Sequence, residues 1–204
     1  MDNVPKLRFE GFTGAWEQRK LGEVLEIVNR RNGNQYTKQD VLSVSDEYGC
    51  LNQIKFQGRS FAGADISNYK VVETGDIVYT RSPVQAKPFG IIKIVGKETG
   101  IISPLYIVNV TTDGNDSKFI YYVFDSPEKT NAYLNPLVRK GAKNTMNISN
   151  EEWLSGDITV APSYNEQHCI GEFLEHIDSL ITLLQRKVNA LKKFKKFLLQ
   201  HMFV

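Results

Sequence analysis

The last forty residues of the chain carry a heptad repeat of apolar side chains, and this repeat constrains the fold more than any other feature. Two seam positions alternate over four heptads, and only Lys195 interrupts them. A repeat of this kind predicts a long helix that packs against another helix. The seam residues are Ile170, Leu174, Ile177, Ile181, Leu184, Val188, Leu191, Leu198 and Met202.

The predicted helix begins after Pro162, where Ser163 and Glu166 have the spacing of a capping box. It would be roughly 55 Å long at 1.5 Å per residue. The alternative is an amphipathic helix that lies across its own domain. A strict repeat beyond about 25 residues favours a projecting helix that needs a partner.

The apolar stripe is wider than a two-stranded seam. Phe173, Leu180 and Phe194 lie beside it at one flanking position. Three apolar positions per heptad are typical of a helix contacted from two sides, as in a bundle. We therefore expect the helix to meet more than one partner helix.

Composition places the chain among ordinary globular proteins. It has 204 residues, of which 41% are hydrophobic and 24% are charged. Two cysteines, Cys50 and Cys169, do not make a disulfide framework, which favours a reducing compartment and a cytoplasmic location. The N-terminus lacks the pattern of a signal peptide, and no apolar run has the length of a membrane span.

The net charge of +2 is unevenly divided. Residues 1–164 carry 19 basic and 19 acidic side chains, whereas the segment 186–196 carries six basic side chains and no acidic one. If the front domain binds nucleic acid, it must do so through local basic loops rather than through an overall basic surface.

The chain before the helix shows short strand and helix patterns separated by turns, which predicts an α+β domain over residues 1–162, followed by the helix over 163–204. Predicted strands cover residues 42–44, 54–56, 77–80, 91–95, 101–110 and 158–160, with a hairpin joining 91–95 to 101–110. A short helix that leads into a strand is predicted within residues 16–28, and further helices are predicted at 119–124, 127–134 and 151–154.

No pattern typical of an enzyme occurs in the sequence. It lacks both G-x-x-x-x-G-K-[ST] and G-x-G-x-x-G. His168, Glu172 and His176 are spaced by four residues, but the H-E-x-x-H spacing is missing and their predicted helix face points away from the seam. We therefore interpret them as surface residues, and we predict no catalytic residue, no metal site and no bound cofactor.

Three loops mix basic and amide side chains, which is the chemistry that reads DNA. Arginine pairs with guanine, asparagine and glutamine pair with adenine, and lysine holds phosphates. The alternative for each loop alone is an ordinary solvated surface. The candidate residues are Arg30, Arg31, Asn32 and Gln35 in the first loop, Arg81, Gln85 and Lys87 in the second, and Arg139, Lys140, Lys143 and Asn144 in the third.

Several short motifs resemble one half of the specificity (S) subunit of type I restriction–modification systems, and the resemblance covers nearly the whole chain. The opening, the middle and the terminal helix all contribute. The motifs are Pro5-Lys6-Leu7-Arg8-Phe9, Gly11-Phe12, Trp16-Glu17, Lys20-Leu21-Gly22, Ser67-Asn68-Tyr69-Lys70-Val71-Val72, Gly75-Asp76-Ile77-Val78-Tyr79, Pro162, Glu166-Gln167, Ile170, Phe173-Leu174, Ile177-Asp178 and Leu198-Leu199-Gln200-His201-Met202-Phe203.

The resemblance implies a DNA-binding subunit without catalytic activity. In that family each recognition domain reads one half of a split site, and the long helices of the two halves pair antiparallel. The S subunit docks modification (M) subunits, which bind S-adenosylmethionine and methylate adenine N6. Restriction (R) subunits add ATP-driven translocation and cleavage. S-adenosylmethionine and ATP are therefore expected only on partner subunits.

The chain departs from the family pattern because it has one recognition domain and one spacer helix where a full S subunit has two of each. We predict a half-subunit that homodimerises through its helix and reads a split palindrome. Antiparallel pairing would keep Lys195 away from its own copy. Two alternatives stay open: a fragment of a longer chain, or a non-catalytic interaction protein that docks on M subunits or a full-length S subunit and modulates it. The bases read, the half-site spacing and the participation of an R subunit stay open too.

Overall fold

The computed structural model of the chain describes residues 3–84, 86–141 and 146–203. It consists of a mixed α/β domain and one long C-terminal helix, which confirms the predicted fold class. Within the described ranges, every helix is too short or too polar to cross a membrane.

Short strands and helices alternate through the domain. The strands are β1 (Glu17–Lys20), β2 (Leu25–Ile27), β3 (Leu42–Ser45), β4 (Gly49–Asn52), β5 (Lys70–Val72), β6 (Ile77–Tyr79), β7 (Ile92–Ile94), β8 (Gly100–Ile102), β9 (Ile107–Thr111), β10 (Arg139–Lys140), β11 (Met146–Asn147) and β12 (Asp157–Val160). The helices are α1 (Leu21–Val24), α2 (Gln53–Gln57), α3 (Ser117–Val123), α4 (Pro127–Leu134), α5 (Asn150–Ser155) and α6 (Tyr164–Met202), with a 3₁₀ turn at Lys38–Asp40.

The centre of the domain is a four-stranded antiparallel sheet in the order β2-β9-β6-β7. Its β-branched residues pack on both faces, so the strands β6 and β9 read as apolar runs rather than as an alternation. Four two-stranded ladders surround it, pairing β1 with β12, β3 with β4, β5 with β8 and β10 with β11.

The main core forms around Trp153 of α5, which is fully buried. Its ring stacks on Tyr79 with a centroid distance of 4.7 Å. Its indole N–H donates to Asn109 Oδ1 at 2.9 Å, and Asn109 in turn donates to the carbonyl of Ile77. Because every polar group of this pair has a partner, α5 is fixed against the central sheet at little desolvation cost.

The foot of α6 is built into the domain. Gln167 is 1% exposed, and its amide bonds the carbonyl of Ala161 at 2.8 Å and the backbone N–H of Asp116 at 2.9 Å. Gly171 lies so close to the start of α3 that an added Cβ would be 2.8 Å from Asp116 Oδ1 and 2.9 Å from the Cβ of Lys118. The first two turns of the helix therefore have a fixed direction relative to the domain, while the division at residues 162 and 163 stays a prediction.

The predicted capping box at the start of α6 is wrong. Ser163 occupies the N-cap position but makes no side-chain cap hydrogen bond. Glu166 is instead turned into the N-terminal arm, where it accepts from Arg8 Nε and Nη2 at 2.8 Å each and from Trp16 Nε1 at 3.2 Å. A bidentate ion pair between arginine and a carboxylate is stronger than a capping hydrogen bond, and this difference accounts for the orientation of the Glu166 side chain.

The strand prediction for residues 54–56 is also wrong, because that segment forms α2. Asn52 caps the helix by accepting from the backbone N–H groups of Ile54 and Lys55, and Gly58 ends it in a left-handed conformation. The predicted helix within residues 16–28 is preceded by β1, which pairs with β12 at the far end of the domain. Long-range pairing of this kind leaves no local signal.

Two further predictions of the β region need correction. The segment 101–110 is divided between β8 and β9, and the break contains Pro104, which cannot donate to a ladder. The hairpin predicted between 91–95 and this segment is absent, since β7 pairs with β6 and β8 pairs with β5. The loop predicted at 139–145 begins in a strand, because Arg139 and Lys140 pair with β11.

Beyond its foot, α6 leaves the domain with its seam facing solvent. The helix has 39 residues, which confirms the predicted long helix. Leu184 is 60% exposed, Leu191 59% and Met202 69%. So much apolar surface along one stripe is typical of an interaction site.

The ion pair of Arg8 with Glu166 gives the first testable prediction. The side chains are 13% and 1% exposed, so Arg8→Met strands a buried carboxylate, and we expect a loss of about 3 to 5 kcal/mol in the free energy of unfolding. Lys20→Met is the matched control, because it breaks an exposed pair with Asp157 worth about 1 kcal/mol or less. Urea unfolding of both variants measures the difference, and equal losses would contradict a structural role for the buried pair.

Candidate nucleic-acid interface

The first predicted loop is held by one of its own candidate residues. Asn32 is 2% exposed, and its amide donates to the carbonyls of Tyr36 and Ile66 and accepts from the backbone N–H of Tyr36. Since both ends of the amide are engaged inside the protein, Asn32 shapes the loop and has no free edge for a base.

The other candidate residues of this loop differ in whether their side chains are free to contact DNA. Arg30 forms ion pairs with Glu73 at 2.7 Å and Asp76 at 2.8 Å, which neutralise its charge. Arg31 and Gln35 are exposed. Arg31 also pairs across a β-bridge with Lys70, so the two side chains leave the backbone on the same face.

In the second predicted loop, Arg81 is held in a strained position. Its φ of 56° lies in the left-handed region, its Nη2 donates to Asn150 Oδ1 at 3.3 Å, and its buried Nε has no hydrogen-bond partner. Burial lowers the pKa of the guanidinium from its ordinary value. Backbone strain and an unpaired buried donor together are typical of a functional position.

Lys87 does not belong to this surface. It is 2% exposed, and its ammonium bonds Asp46 Oδ1 at 2.8 Å and the carbonyl of Asp125 at 3.2 Å. It therefore ties its loop to the domain. Gln85 lies outside the described residues.

The third predicted loop presents Arg139 on its first strand. The side chain is 83% exposed and forms an ion pair with Glu152 at 3.0 Å. Lys140 follows it in β10. Lys143 and Asn144 lie outside the described residues.

The fold brings the second and third loops together. Arg81 and Arg139 line the same open cavity of about 330 Å³, with Asn147, Ser149 and Glu152 on its other walls. Two arginines and several short polar side chains around one cavity match the donors and acceptors that contact phosphates and base edges.

Lys70 is a further basic residue next to these loops, although it lies in none of the three predicted loops. Burial lowers the pKa of the Lys70 ammonium group, and the positive charge of Arg81 lowers it further. The ammonium group donates to the carbonyl of Tyr106 at 2.6 Å. The β-bridge with Arg31 places Lys70 next to the first loop. Lys70 begins a strand rather than lying in a polar loop. A lysine at the start of a strand is only a weak sequence signal for a DNA-binding position.

A second feature missed by sequence is a group of exposed aromatic residues around α2. Phe61 is 57% exposed with the guanidinium of Arg59 at 4.7 Å from its ring centre, and Tyr48 contacts Phe56 with ring centres 5.6 Å apart. Phe56 and Phe61 line an open cleft of about 660 Å³. Exposed rings with an adjacent arginine are suited to stacking on bases, and the incorrect strand prediction at 54–56 concealed this group.

The site shows no constellation for catalysis among the residues described. His168 Nδ1 lies 2.9 Å from Asp116 Oδ2 at the foot of α6, far along the chain from the basic loops. Within the described ranges, no three His, Cys, Asp or Glu side chains are grouped so that they could hold a metal ion. The arrangement is suited to binding an anionic polymer.

Comparison with known protein families agrees with this chemistry. A family described as the type I restriction modification DNA specificity domain matches residues 14–193. The match spans most of the chain, so the chain belongs to this family and is a DNA specificity domain. Comparison with curated proteins gave no match.

Solved structures share the fold. The HsdS subunit from Thermoanaerobacter tengcongensis has a TM-score of 0.51 and 17% identity, over 91% of this chain and 42% of that one. The S subunit from M. genitalium has a TM-score of 0.56 and 14% identity, over 93% and 46%. A chain from work on complex assembly and conformational transition of the type I R-M system has a TM-score of 0.55 and 17% identity, over 96% and 46%. The chain thus spans less than half the length of these subunits.

The role of Asn32 can be tested against its neighbour in the loop. Asn32→Ala leaves three partly buried backbone groups without partners, and we expect a loss of about 1 to 3 kcal/mol in the free energy of unfolding. Gln35→Ala, at an exposed position of the same loop, is expected to leave stability unchanged. Thermal unfolding measures both variants, and an Asn32→Ala protein as stable as the parent chain would refute the anchoring role.

Proposed function

We propose that this chain is the sequence-specific DNA-binding subunit of a type I restriction–modification system. In this proposal it pairs with a second copy through α6, reads a split palindromic site and recruits M subunits that methylate adenine N6. The chain itself is non-catalytic. S-adenosylmethionine and ATP bind only to partner subunits, and an R subunit joins where cleavage occurs.

The observation that carries the DNA-binding half of the proposal is the strained, partly buried Arg81 beside Arg139. The two arginines line one open cavity. The buried Nε–H of Arg81 lacks a hydrogen-bond partner, which is costly unless an anion binds there and accepts from it, and the exposed Arg139 can donate to the same anion. A DNA backbone or a guanine edge supplies that partner.

The exposed seam of α6 supports the part of the proposal that concerns assembly with other subunits. The helix offers an apolar stripe with one flank widened by Phe173, Leu180 and Phe194, all at least 41% exposed. One face suits a second copy of α6, and the widened flank suits an M subunit. A two-fold pair presents the same recognition domain twice, and its DNA site is then a split palindrome.

The second candidate function is a non-catalytic interaction protein. In that case the chain docks through α6 on M subunits or on a full-length S subunit, modulates it and contacts DNA weakly. The exposed helix favours this candidate as much as the first, since a seam accepts any matching helix. The basic cavity favours the first candidate.

Substitutions in the basic loops test DNA binding. We expect Lys140→Ala and Lys143→Ala each to weaken binding to DNA of any sequence, because each removes one phosphate contact. Each should also reduce the slope of the logarithm of the binding constant against the logarithm of the salt concentration by about one. Arg81→Ala is expected to weaken the free energy of DNA binding by about 1 to 3 kcal/mol and to relax the base preference at one position of the site. Fluorescence anisotropy on a random-sequence duplex gives the slopes, and selection from a random library gives the base preference.

Lys129→Ala is the matched control, because it removes an exposed cation from α4, away from the cavity. It should bind like the parent chain. If the loop variants also bind like the parent chain, the assignment of these loops to DNA is wrong and the second candidate function takes precedence.

A charge placed in the seam tests assembly. We expect Ile181→Lys to give monomers, since pairing would bury an unpaired ammonium group. Asn189→Lys adds the same charge at an exposed position outside the seam and should stay paired. Light scattering on a sizing column compares the two masses, and a dimeric Ile181→Lys protein would exclude the seam as the contact.

A further inference from the structure

The open cleft beside α2 lies next to the cavity of Arg81 and Arg139, because one loop contributes to the walls of both. Arg81 lines the cavity, and Val84, three residues further along the loop, lines the cleft. Three residues span at most about 11 Å, and successive nucleotides of one DNA strand are about 3.4 Å apart along the helix axis. A DNA strand with a phosphate at the two arginines therefore has a base within reach of the cleft about three nucleotides away.

The loop between the cavity and the cleft is fixed at its far end, so the fold sets the distance between the two sites. Lys87 is buried, and its ammonium group bonds Asp46, which lines the cleft, at 2.8 Å. Val84 and Lys87 exchange two backbone hydrogen bonds at 3.1 Å each. The side-chain amide of Asn131 donates to the carbonyl of Ala86 at 3.0 Å. The cavity and the cleft are thus parts of one surface with a defined spacing.

The walls of the cleft have the chemistry of a nucleobase site. The rings of Phe56, Phe61, Tyr69 and Tyr106 line it, together with polar side chains such as that of Gln57. Rings stack on the flat face of a base, and an amide can form hydrogen bonds with its polar edge. The volume of about 660 Å³ is large enough for a nucleotide.

Phe61 is held in position and has a cation beside it. Gln53 Oε1 accepts from the backbone N–H of Phe61 at 2.6 Å, and Gln53 Nε2 donates to Ser43 Oγ at 3.2 Å. The guanidinium of Arg59, an exposed residue, lies 4.7 Å from the centre of the Phe61 ring. An exposed cation beside a stacking ring can bind the phosphate of the nucleotide whose base lies on that ring.

The concave shape of the cleft distinguishes between two ways in which rings contact DNA. In an intact duplex both faces of each base are covered by its neighbours. A ring therefore meets the face of a base only if the ring enters the stack or the base leaves it. A ring that enters the stack must project from the protein, whereas Phe56 and Phe61 line the wall of a cleft. This geometry favours a base that leaves the stack.

We infer that the cleft beside α2 holds one unpaired base of the bound DNA, stacked on Phe61, with the adjacent phosphate on Arg59. This inference rests on the proposed DNA binding and adds a second contact beside the arginine cavity. Taking a base out of a paired duplex costs free energy. A duplex that already contains an unpaired base should therefore bind more tightly than a fully paired one.

Two duplexes of the same sequence test the inference, one fully paired and one with a single unpaired thymine at its centre. We expect the parent chain to bind the second duplex about fivefold more tightly or better, because stacking on the ring is gained without the cost of unpairing. Fluorescence anisotropy gives both dissociation constants.

The variant Phe56→Leu with Phe61→Leu keeps apolar side chains but removes the ring faces. It should bind both duplexes equally, with unchanged affinity for the paired one. Phe197→Leu is the matched control, because it makes the same change at a ring of α6 that is 52% exposed, and it should keep the preference. A preference that arises only from the greater flexibility of the second duplex would survive in the double variant, and that result would overturn the inference.

A photochemical cross-link tests the position of the base in the parent chain. With 5-iodouracil in place of the unpaired thymine, irradiation joins the base to an aromatic side chain in contact with it. Mass spectrometry of the digested complex should find the base on a ring of the cleft. Cross-linking elsewhere, or equal binding of the two duplexes, would overturn the inference and leave DNA binding intact. Binding of neither duplex would refute the proposed DNA binding as well.

Discussion

A buried carboxylate joins the N-terminal arm, the α/β domain and the long C-terminal helix. Glu166 lies in the first turn of the long helix and is 1% exposed, with two hydrogen bonds from Arg8 and one from Trp16. Because a buried charge is tolerated only when it is paired, the N-terminal arm must stay on the foot of the helix. Together with the hydrogen bonds of Gln167 and the close packing of Gly171 against α3, this pair fixes the direction in which α6 leaves the domain.

Local sequence signals predicted those elements whose stability is local. The heptad repeat predicted the long helix. The helices predicted at 119–124 and 127–134 form as α3 and α4, which Asp116 and Ser126 cap. The capping box at Ser163 failed because Glu166 found a stronger, distant partner in Arg8. The strand predicted at 54–56 is wrong because Asn52 and Gly58 cap a helix there. The hairpin predicted between 91–95 and 101–110 is wrong because pairings such as β5 with β8 are decided by packing over long sequence distances.

The same limit applies to the basic surface. Residue type alone selected Asn32 and Lys87 along with Arg81, yet the first two are buried with internal partners and the third is strained beside an open cavity. Only tertiary structure separates a polar side chain that holds a loop from one that is available to a ligand. Lys70 and the rings around α2 became candidates only when the fold placed them near the loops or at an open cleft.

The pairing of two copies of α6 is the part of the proposed function on which the rest depends most. The mass of the purified chain in solution, measured by light scattering on a sizing column across a range of concentrations, tests this claim most directly. If two copies pair, the measured mass will be near twice the 23.2 kDa of one chain. A stable monomer at all concentrations would contradict it, and the helix would then be the docking surface for a different protein.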